Sequence, residues 1–422
     1  PHCGEKLHKD GLEIPFETFL GFGGTKEPDI DLNFSGEYQA NAHAYTEVMF
    51  GKGHTFRAGT ITGVADKTAF GYVKNYFDDH NIVKRTAEID RIARGCTGIR
   101  RSTGQHPGGI VIVPRDKEIY DFTPIQKPAN DMSVDTITTH FEYHAIDANL
   151  LKLDILGHDD PTMIRRLEKL TNTNVQKDVH FDDKKILSLF LSPEALGITS
   201  DDIDGCPTGT LGLPELGTDF VIQMLVDTKP TKIADLVRIA GLSHGTDVWL
   251  GNAQQLIAEG KCTISSAICT RDDIMVYLMD KGIEPQVSFD IMEHVRKGRG
   301  LLTYKDKETG EERQEEDVMR EHNVPEWYIW SCKKIKYMFP KAHAAAYIMM
   351  ALRVAWYKIY KPLAYYAAFF GIRAKAFNYE TMCQGREKLE FFMADLKRKK
   401  ANHEASKKDE DSLGDMKIVQ EM

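Results

Sequence analysis

The sequence predicts an α/β chain in which a mixed strand-and-helix region, residues 1–160, precedes a mostly α-helical one, residues 161–373. Three observations carry that expectation. Pro28-Asp29-Ile30-Asp31-Leu32-Asn33-Phe34 alternates with period two, so as a strand it sets Asp29, Asp31 and Asn33 on one face and Ile30, Leu32 and Phe34 on the other. Leu150–Gly157 repeats the pattern, with Leu151, Leu153 and Ile155 facing one way and Lys152 and Asp154 the other. From His158 onward the chain turns mostly helical.

In chain order, residues 5–27 are polar and end in Gly21-Phe22-Gly23-Gly24, a loop for close backbone approach or a plain connector. A helix is expected over 37–50, then a short strand at 55–58. Thr62 reads as the N-cap of a helix to His80 carrying the stripe Val64, Ala69, Tyr72, Val73 and Tyr76. The basic stretch 84–101 suits a short helix with Gly95 as its C′ residue, and such a charge run is ordinarily a solvated face. Arg100 to Gly109 reads as a loop of Gly, hydroxyl and Arg groups entering the strand Ile110–Val113. Its backbone N–H groups and forked donors suit a triphosphate or a DNA backbone. It matches neither a Walker A loop nor a dinucleotide fingerprint, which weighs against ordinary ATPases and dehydrogenases.

Asp160 as N-cap and Pro161 at N1 open a helix carrying Arg165 and Arg166. Residues 197–218 read as loops, and a helix over 231–239 is stopped by Gly241. Ser243, His244 and Asn252 lie in a polar segment read as a substrate-facing loop, with capping by Ser243 or Asp247 as the plainer alternative. Arg271 heads an apolar-periodic helix, Arg296-Lys297-Gly298-Arg299-Gly300 is a cationic turn, and 306–317 reads as an acidic, exposed insertion. Trp327, Tyr328 and Trp330 mix with Lys333, Lys334 and Lys336, either gripping nucleotides or anchoring a solvated lysine face. Lys341, His343 and Tyr347 begin the helix of the apolar run 344–352, and Pro362 starts another. Residues 374–422 read as a charged linker, or as an exposed helix opening a further domain.

With 422 residues, 42% hydrophobic and 28% charged, the chain has length for two or three domains and a sizeable core. The net charge of −9 argues against charge-driven coating of nucleic acid, though not against an acidic face that meets phosphates through cations. The apolar run 344–352 is too short to span a membrane. Seven scattered cysteines without a CxxC point to a reducing, cytoplasmic setting and no disulfide frame. Cys3 is either the second half of a zinc knuckle or a free thiol, and Pro1 in place of Met reads as a start within a longer protein.

The chemistry concentrates on the two alternating strands. Carboxylates two residues apart on a strand lie about 7 Å apart and can lean onto Mg²⁺ or Mn²⁺. A bare Asp-x-Asp is commonly only a solvated acidic face, but here a second strand supplies Asp154 and Lys152. If the strands are neighbours, three carboxylates and an ammonium share one surface, an arrangement for two-metal phosphoryl transfer.

Together PDIDLNFSG, RSTGQHPGG, LLKLDILGHDDPT, GLSHGTDVWLGN, RDDIMVYL and KKIKYMFPKAHAAAY resemble, in order over residues 1–373, the catalytic core of the bacterial replicative DNA polymerase III alpha subunit of the PolC type. The resemblance implies a palm with a nucleotidyltransferase-like, polymerase-beta-like mixed sheet, followed by helical fingers. It implies that Asp29, Asp31 and Asp154 bind two Mg²⁺ ions, with Mn²⁺ as substitute, and that Lys152 contacts the incoming triphosphate. It makes Arg100, Arg101, His106, Gly108 and Gly109 phosphate-binding candidates, and sets Ser243, His244, Asn252, Arg271, Arg296, Lys297, Lys341, His343 and Tyr347 around the nucleotide. Cys3 would complete a structural Zn²⁺ site with upstream residues. The implied partners are primer-template DNA, dNTPs, a sliding clamp and other replisome subunits, with no membrane. The exonuclease, PHP, thumb and DNA-gripping modules of such polymerases are not recognisable here, so the expectation is a palm-fingers fragment. Two rivals are a metal-dependent Asp-x-Asp glycosyltransferase and a non-catalytic nucleic-acid-binding replisome module.

Overall fold

The computed structural model describes residues 14–422 except 25, 27, 29, 129, 130, 148 and 306–309. Two compact units result, one of Glu27–His158 and the other of Asp159–Met422 with the residues before Glu27. Cys3 and Asp29 lie outside the described residues.

The first unit is built on a six-stranded mixed sheet, ordered β1-β6-β3-β2-β5-β4. The strands are β1 (Ile30–Ser35), β2 (Thr55–Gly63), β3 (Arg100–Ile112), β4 (Ile125–Gln126), β5 (Thr138–Glu142) and β6 (Leu151–His158). β1 runs parallel to β6 at one edge, and β6 and β3 are antiparallel. The expected alternation is what sorts the two faces. Ile110, Leu153 and Ile155 form a buried cluster with Ile30, Phe34, Ala42 and Phe50 beneath the helix Gln39–Phe50. Asp31, Lys152 and Asp154 therefore project from the opposite face. Leu32 departs from its sequence reading. It pairs with buried Ile155 on the apolar side yet is 41% exposed, because β1 is the edge strand and has no further strand beside it.

Local signals failed where long strands pass through polar sequence. Thr62 does not cap a helix; it belongs to β2 and pairs with Ser102, and the helix starts only at Asp66. On that helix Ala69 and Val73 are buried against Ile89 and Ala93 of the helix Thr86–Cys96, whereas Tyr72 and Tyr76 are exposed. Gly95 lies inside the Thr86–Cys96 helix, and the left-handed residue that follows it is Gly98.

The second unit is a helical assembly around one large apolar core that includes the 344–352 run. Asp160 is no N-cap here. It sits within the helix Asp159–Thr171, buried, and pairs with Arg373. Gly241 does not stop its helix, which runs Ile233–His244; a side chain there would meet the Cys269 carbonyl at 2.5 Å, so glycine serves close packing. Within the expected exposed acidic insertion, Glu315 is buried and its carboxylate accepts from His294 and from the Leu302 N–H. Residues 375–422 form helices that include Arg386–Ala401 and Lys407–Glu421, with Leu389, Met393, Leu396, Leu413 and Met416 packed between them. Local charge hid that apolar stripe. No helix among the described residues is long and apolar enough to cross a membrane.

Candidate active site

The parallel pairing of β1 with β6 puts Asp31 directly opposite Asp154, so two carboxylates from distant parts of the sequence share one face. On the other side of β6, Gly109 of β3 is in register with Asp154. The Lys152 ammonium lies 3.0 Å from Asp154 Oδ2 and 5.0 Å from the Tyr143 ring centroid. Asp154 Oδ1 is buried and has no hydrogen-bond partner among the described residues, and the same holds for Asn33 Oδ1. A buried, unpartnered carboxylate oxygen beside a second carboxylate fits a hard divalent cation such as Mg²⁺ or Mn²⁺. Among the described residues no three side chains gather into a complete metal cage, and the third expected ligand, Asp29, lies outside them.

His106 closes the site from β3. The β2–β3 register passes from Arg57↔Ile110 to Gly59↔Gln105, so Ala58 alone spans the bulge His106–Gly109. The expected loop is thus a bulged strand running from Arg100 to Ile112, with Arg100 and Arg101 exposed near its start. Both glycine N–H groups turn inward, Gly109 donating to His106 Nδ1 at 2.7 Å and Gly108 at 3.2 Å. Both donors meet the histidine in this structure, and the segment read as a loop is strand. His106 Nδ1 lies 3.6 Å from Asp154 Oδ1, too far for a hydrogen bond, and it already accepts hydrogen bonds from two backbone N–H groups. Burial, then the Lys152 charge, depress the His106 pKa against the opposing pull of Asp154 and Asp31. With Nδ1 accepting from both glycines, Nε2 is the ring nitrogen left to donate. Gly108 packs so tightly on β6 that a Cβ would meet Leu156 Cδ2 at 2.5 Å and the Ile155 carbonyl oxygen at 2.8 Å.

In the helical unit three of the expected residues come together. His343 stands 5.5 Å from His244 and 4.5 Å from Tyr347, ring centre to ring centre, with Phe339 alongside. His244 Nε2 meets Glu215 at 3.1 Å and Nδ1 meets the Ala240 carbonyl at 2.6 Å. Burial works against its charge, but these two acceptors carry the His244 pKa above its ordinary value. The other expected residues are tied into the fold. Ser243 donates to the Ala240 carbonyl, and Arg271 is buried. Asn252, also buried, braces the Asp247 and Ser331 carbonyls. Arg296 forks onto Glu293, which Lys297 and Lys26 also approach; burial opposes, yet these cations, Arg296 foremost, hold the Glu293 pKa at about 2. Lys341 donates its backbone N–H to Asp272. Sequence reasoning missed Tyr143 and Glu215, which lie outside any periodic stretch and are recruited only by tertiary contact.

Residues 8–157 match the profile described as Bacterial DNA polymerase III alpha NTPase domain, and residues 160–317 that of the Bacterial DNA polymerase III alpha subunit finger domain. DNA polymerase III PolC-type of Caldanaerobacter subterraneus is 56% identical over all 422 residues. This chain belongs to the PolC-type DNA polymerase III family. The PolC-type proteins of Clostridium perfringens and Staphylococcus epidermidis are 59% and 57% identical, over 94% and 100% of the chain. The chain spans 29%, 26% and 28% of the lengths of these three relatives. Within that family, the mixed sheet corresponds to the first matched profile and the start of the helical region to the second.

Proposed function

We propose that the chain carries the nucleotidyl-transfer site of a template-directed DNA polymerase, which joins a dNTP α-phosphate to a primer 3′-hydroxyl and releases pyrophosphate in chromosomal replication. The observation that carries this reading is the in-register pair Asp31–Asp154 with an unpartnered, buried Asp154 oxygen, in a chain of the PolC family. Asp31 and Asp154, together with Asp29, would hold two Mg²⁺ ions, for which Mn²⁺ substitutes. When bound, such cations lower the pKa of the attacking hydroxyl and neutralise the triphosphate and leaving pyrophosphate. Lys152 places a point charge for phosphate oxygens beside them. His106, its Nδ1 accepting from Gly108 and Gly109, offers Nε2–H as a donor on the same face, and exposed Arg100 and Arg101 add forked donors further along β3. The His244–His343–Tyr347 ring group would offer aromatic rings for base stacking, with the His244 pKa raised by Glu215 and the Ala240 carbonyl against burial. Primer-template DNA, a sliding clamp and other replisome subunits in the cytoplasm, and a structural Zn²⁺ at Cys3, belong to the same proposal.

Calorimetric titration of dNTP with Mg²⁺ or Mn²⁺ tests it. Asp31→Asn and Asp154→Asn, each still folded, should lower metal-dependent affinity at least about 10-fold, the equivalent of ~1.4 kcal/mol. Unchanged binding in both variants, or no binding by the folded native chain with either metal, refutes the reading.

A further inference from the structure

Lys152 is a flexible side chain with a compact charge, yet its ammonium has a defined position here, 19% exposed at the side chain, between two partners. One is Asp154, 3.0 Å away. The other is the face of Tyr143, 5.0 Å from Nζ to the ring centroid. Tyr143 is itself fixed. Its hydroxyl donates to the Leu150 carbonyl at 2.9 Å, and its ring packs on the buried cluster of Ala58, Val111, Ile146 and Leu150. The hydroxyl bond ties the turn Tyr143–Ala145 to the residue just before β6, the strand that carries both Lys152 and Asp154.

The two partners differ in one respect. Asp154 also faces the site's second carboxylate and has an oxygen suited to a cation, so its hold on Lys152 competes with its other role. The electron-rich ring face of Tyr143 attracts the ammonium whatever the charge state of Asp154. It also leaves the ammonium's N–H donors available, since a ring face takes up charge without fixing a donor in a single line.

We infer that Tyr143 is a positioning residue that holds the Lys152 ammonium in place for the oxygens of a nucleoside triphosphate. This rests on the polymerase-site reading above. A double-mutant cycle in the 422-residue chain separates the two, with dATP and Mg²⁺ titrated against the native protein, Tyr143→Leu, Tyr143→Phe, Lys152→Met and Tyr143→Leu/Lys152→Met. Tyr143→Leu should weaken binding roughly 5-fold, the scale of one partly desolvated cation–π contact. Tyr143→Phe, which keeps the ring face but loses the hydroxyl bond, should restore most of that affinity. In the Lys152→Met background Tyr143→Leu should cost nothing further, because a residue acting only through Lys152 has nothing left to position. An equal effect of Tyr143→Leu with and without Lys152, or none in the native background, overturns the inference while leaving the site reading intact. Loss of all triphosphate binding in the native protein would count against the site reading instead. A second measurement needs no nucleotide. After reductive ¹³C-methylation, the Lys152 methyl signal, assigned with Lys152→Arg, should be shifted upfield by the ring and move to the position of exposed lysines in Tyr143→Leu. A Lys152 signal that already sits among the exposed lysines overturns the inference by itself.

Discussion

Glu421 and Lys358 form an ion pair with no side-chain exposure at either partner, Nζ to Oε1 at 2.6 Å. The ammonium also donates to the Gly209 and Leu211 carbonyls at 2.8 and 2.6 Å, so its three donors have three acceptors. Tyr366 donates its hydroxyl to the same Glu421 oxygen at 2.9 Å. Burial depresses the Lys358 pKa and raises that of Glu421, each against the pull of the other. Removing one partner strands a buried charge, so Glu421→Ala should destabilise the helical unit by about 3–5 kcal/mol. Lys358→Met should cost a similar amount, since it leaves the Glu421 carboxylate buried without its cation and takes the ammonium donor from the Gly209 carbonyl. The combined Lys358→Met/Glu421→Leu variant should cost clearly less than the sum, because no charge is left buried. All four tryptophans, Trp249, Trp327, Trp330 and Trp356, lie in this unit, so urea unfolding followed by tryptophan fluorescence reports on it directly. A Glu421→Ala midpoint change worth less than about 1 kcal/mol, or additivity of the two single variants, would refute the reasoning.

Two further outcomes follow from the same structure. His294 has its pKa raised by the hydrogen bond to buried Glu315, so its contribution to stability is complete below the ordinary histidine value of 6.5 and disappears as pH climbs through the raised folded value. His294→Gln should therefore lower stability by on the order of 1 kcal/mol at pH 6 and lose that difference in alkaline solution; a pH-independent difference in denaturation midpoints contradicts this. Gly108→Ala drives a Cβ into the Ile155 carbonyl, so it should cost ~1–3 kcal/mol and, by moving His106, weaken metal-dependent dNTP binding; an alanine variant as stable as the parent would show that the bulge is looser than the contacts imply.

The parts of this chain that announce themselves in sequence are those where one physical signal dominates. Period-two alternation located β1 and β6 to within a residue or so, and it also put Lys152 with Asp154 on one face. The helices Gln39–Phe50, Lys341–Tyr360 and Pro362–Ile372 followed from periodicity, an apolar run and a proline at N1. What stayed hidden depends on partners distant in sequence. Arg100–Gly109 has the composition of a loop, yet β2 pairs with it from Arg100 to Gln105, β6 takes up the other side from Gly109, and its glycines permit the bulge. Gly241 looks like a stop signal until the Cys269 carbonyl beside it shows why nothing larger fits. Charge along 395–415 masked the stripe through Leu396 and Leu413, which becomes visible only when two helices are paired.

The register of β1 on β6 also bears on how this protein comes to possess a site at all. Asp31 and Asp154 are about 120 residues apart, and every other strand of the sheet lies between them in the chain. Parallel pairing across such a span closes late relative to pairings over shorter spans such as β2–β3, because its loop entropy is met only after the intervening strands are in place. A slip of β1 by a single residue would carry Asp31 to the apolar face and bring Ile30 or Leu32 opposite Asp154. Partly assembled forms of the sheet thus have no paired carboxylates to offer a cation. On the proposed reading of the site, cation affinity is a readout of completed strand order, and a misregistered chain is silent in it.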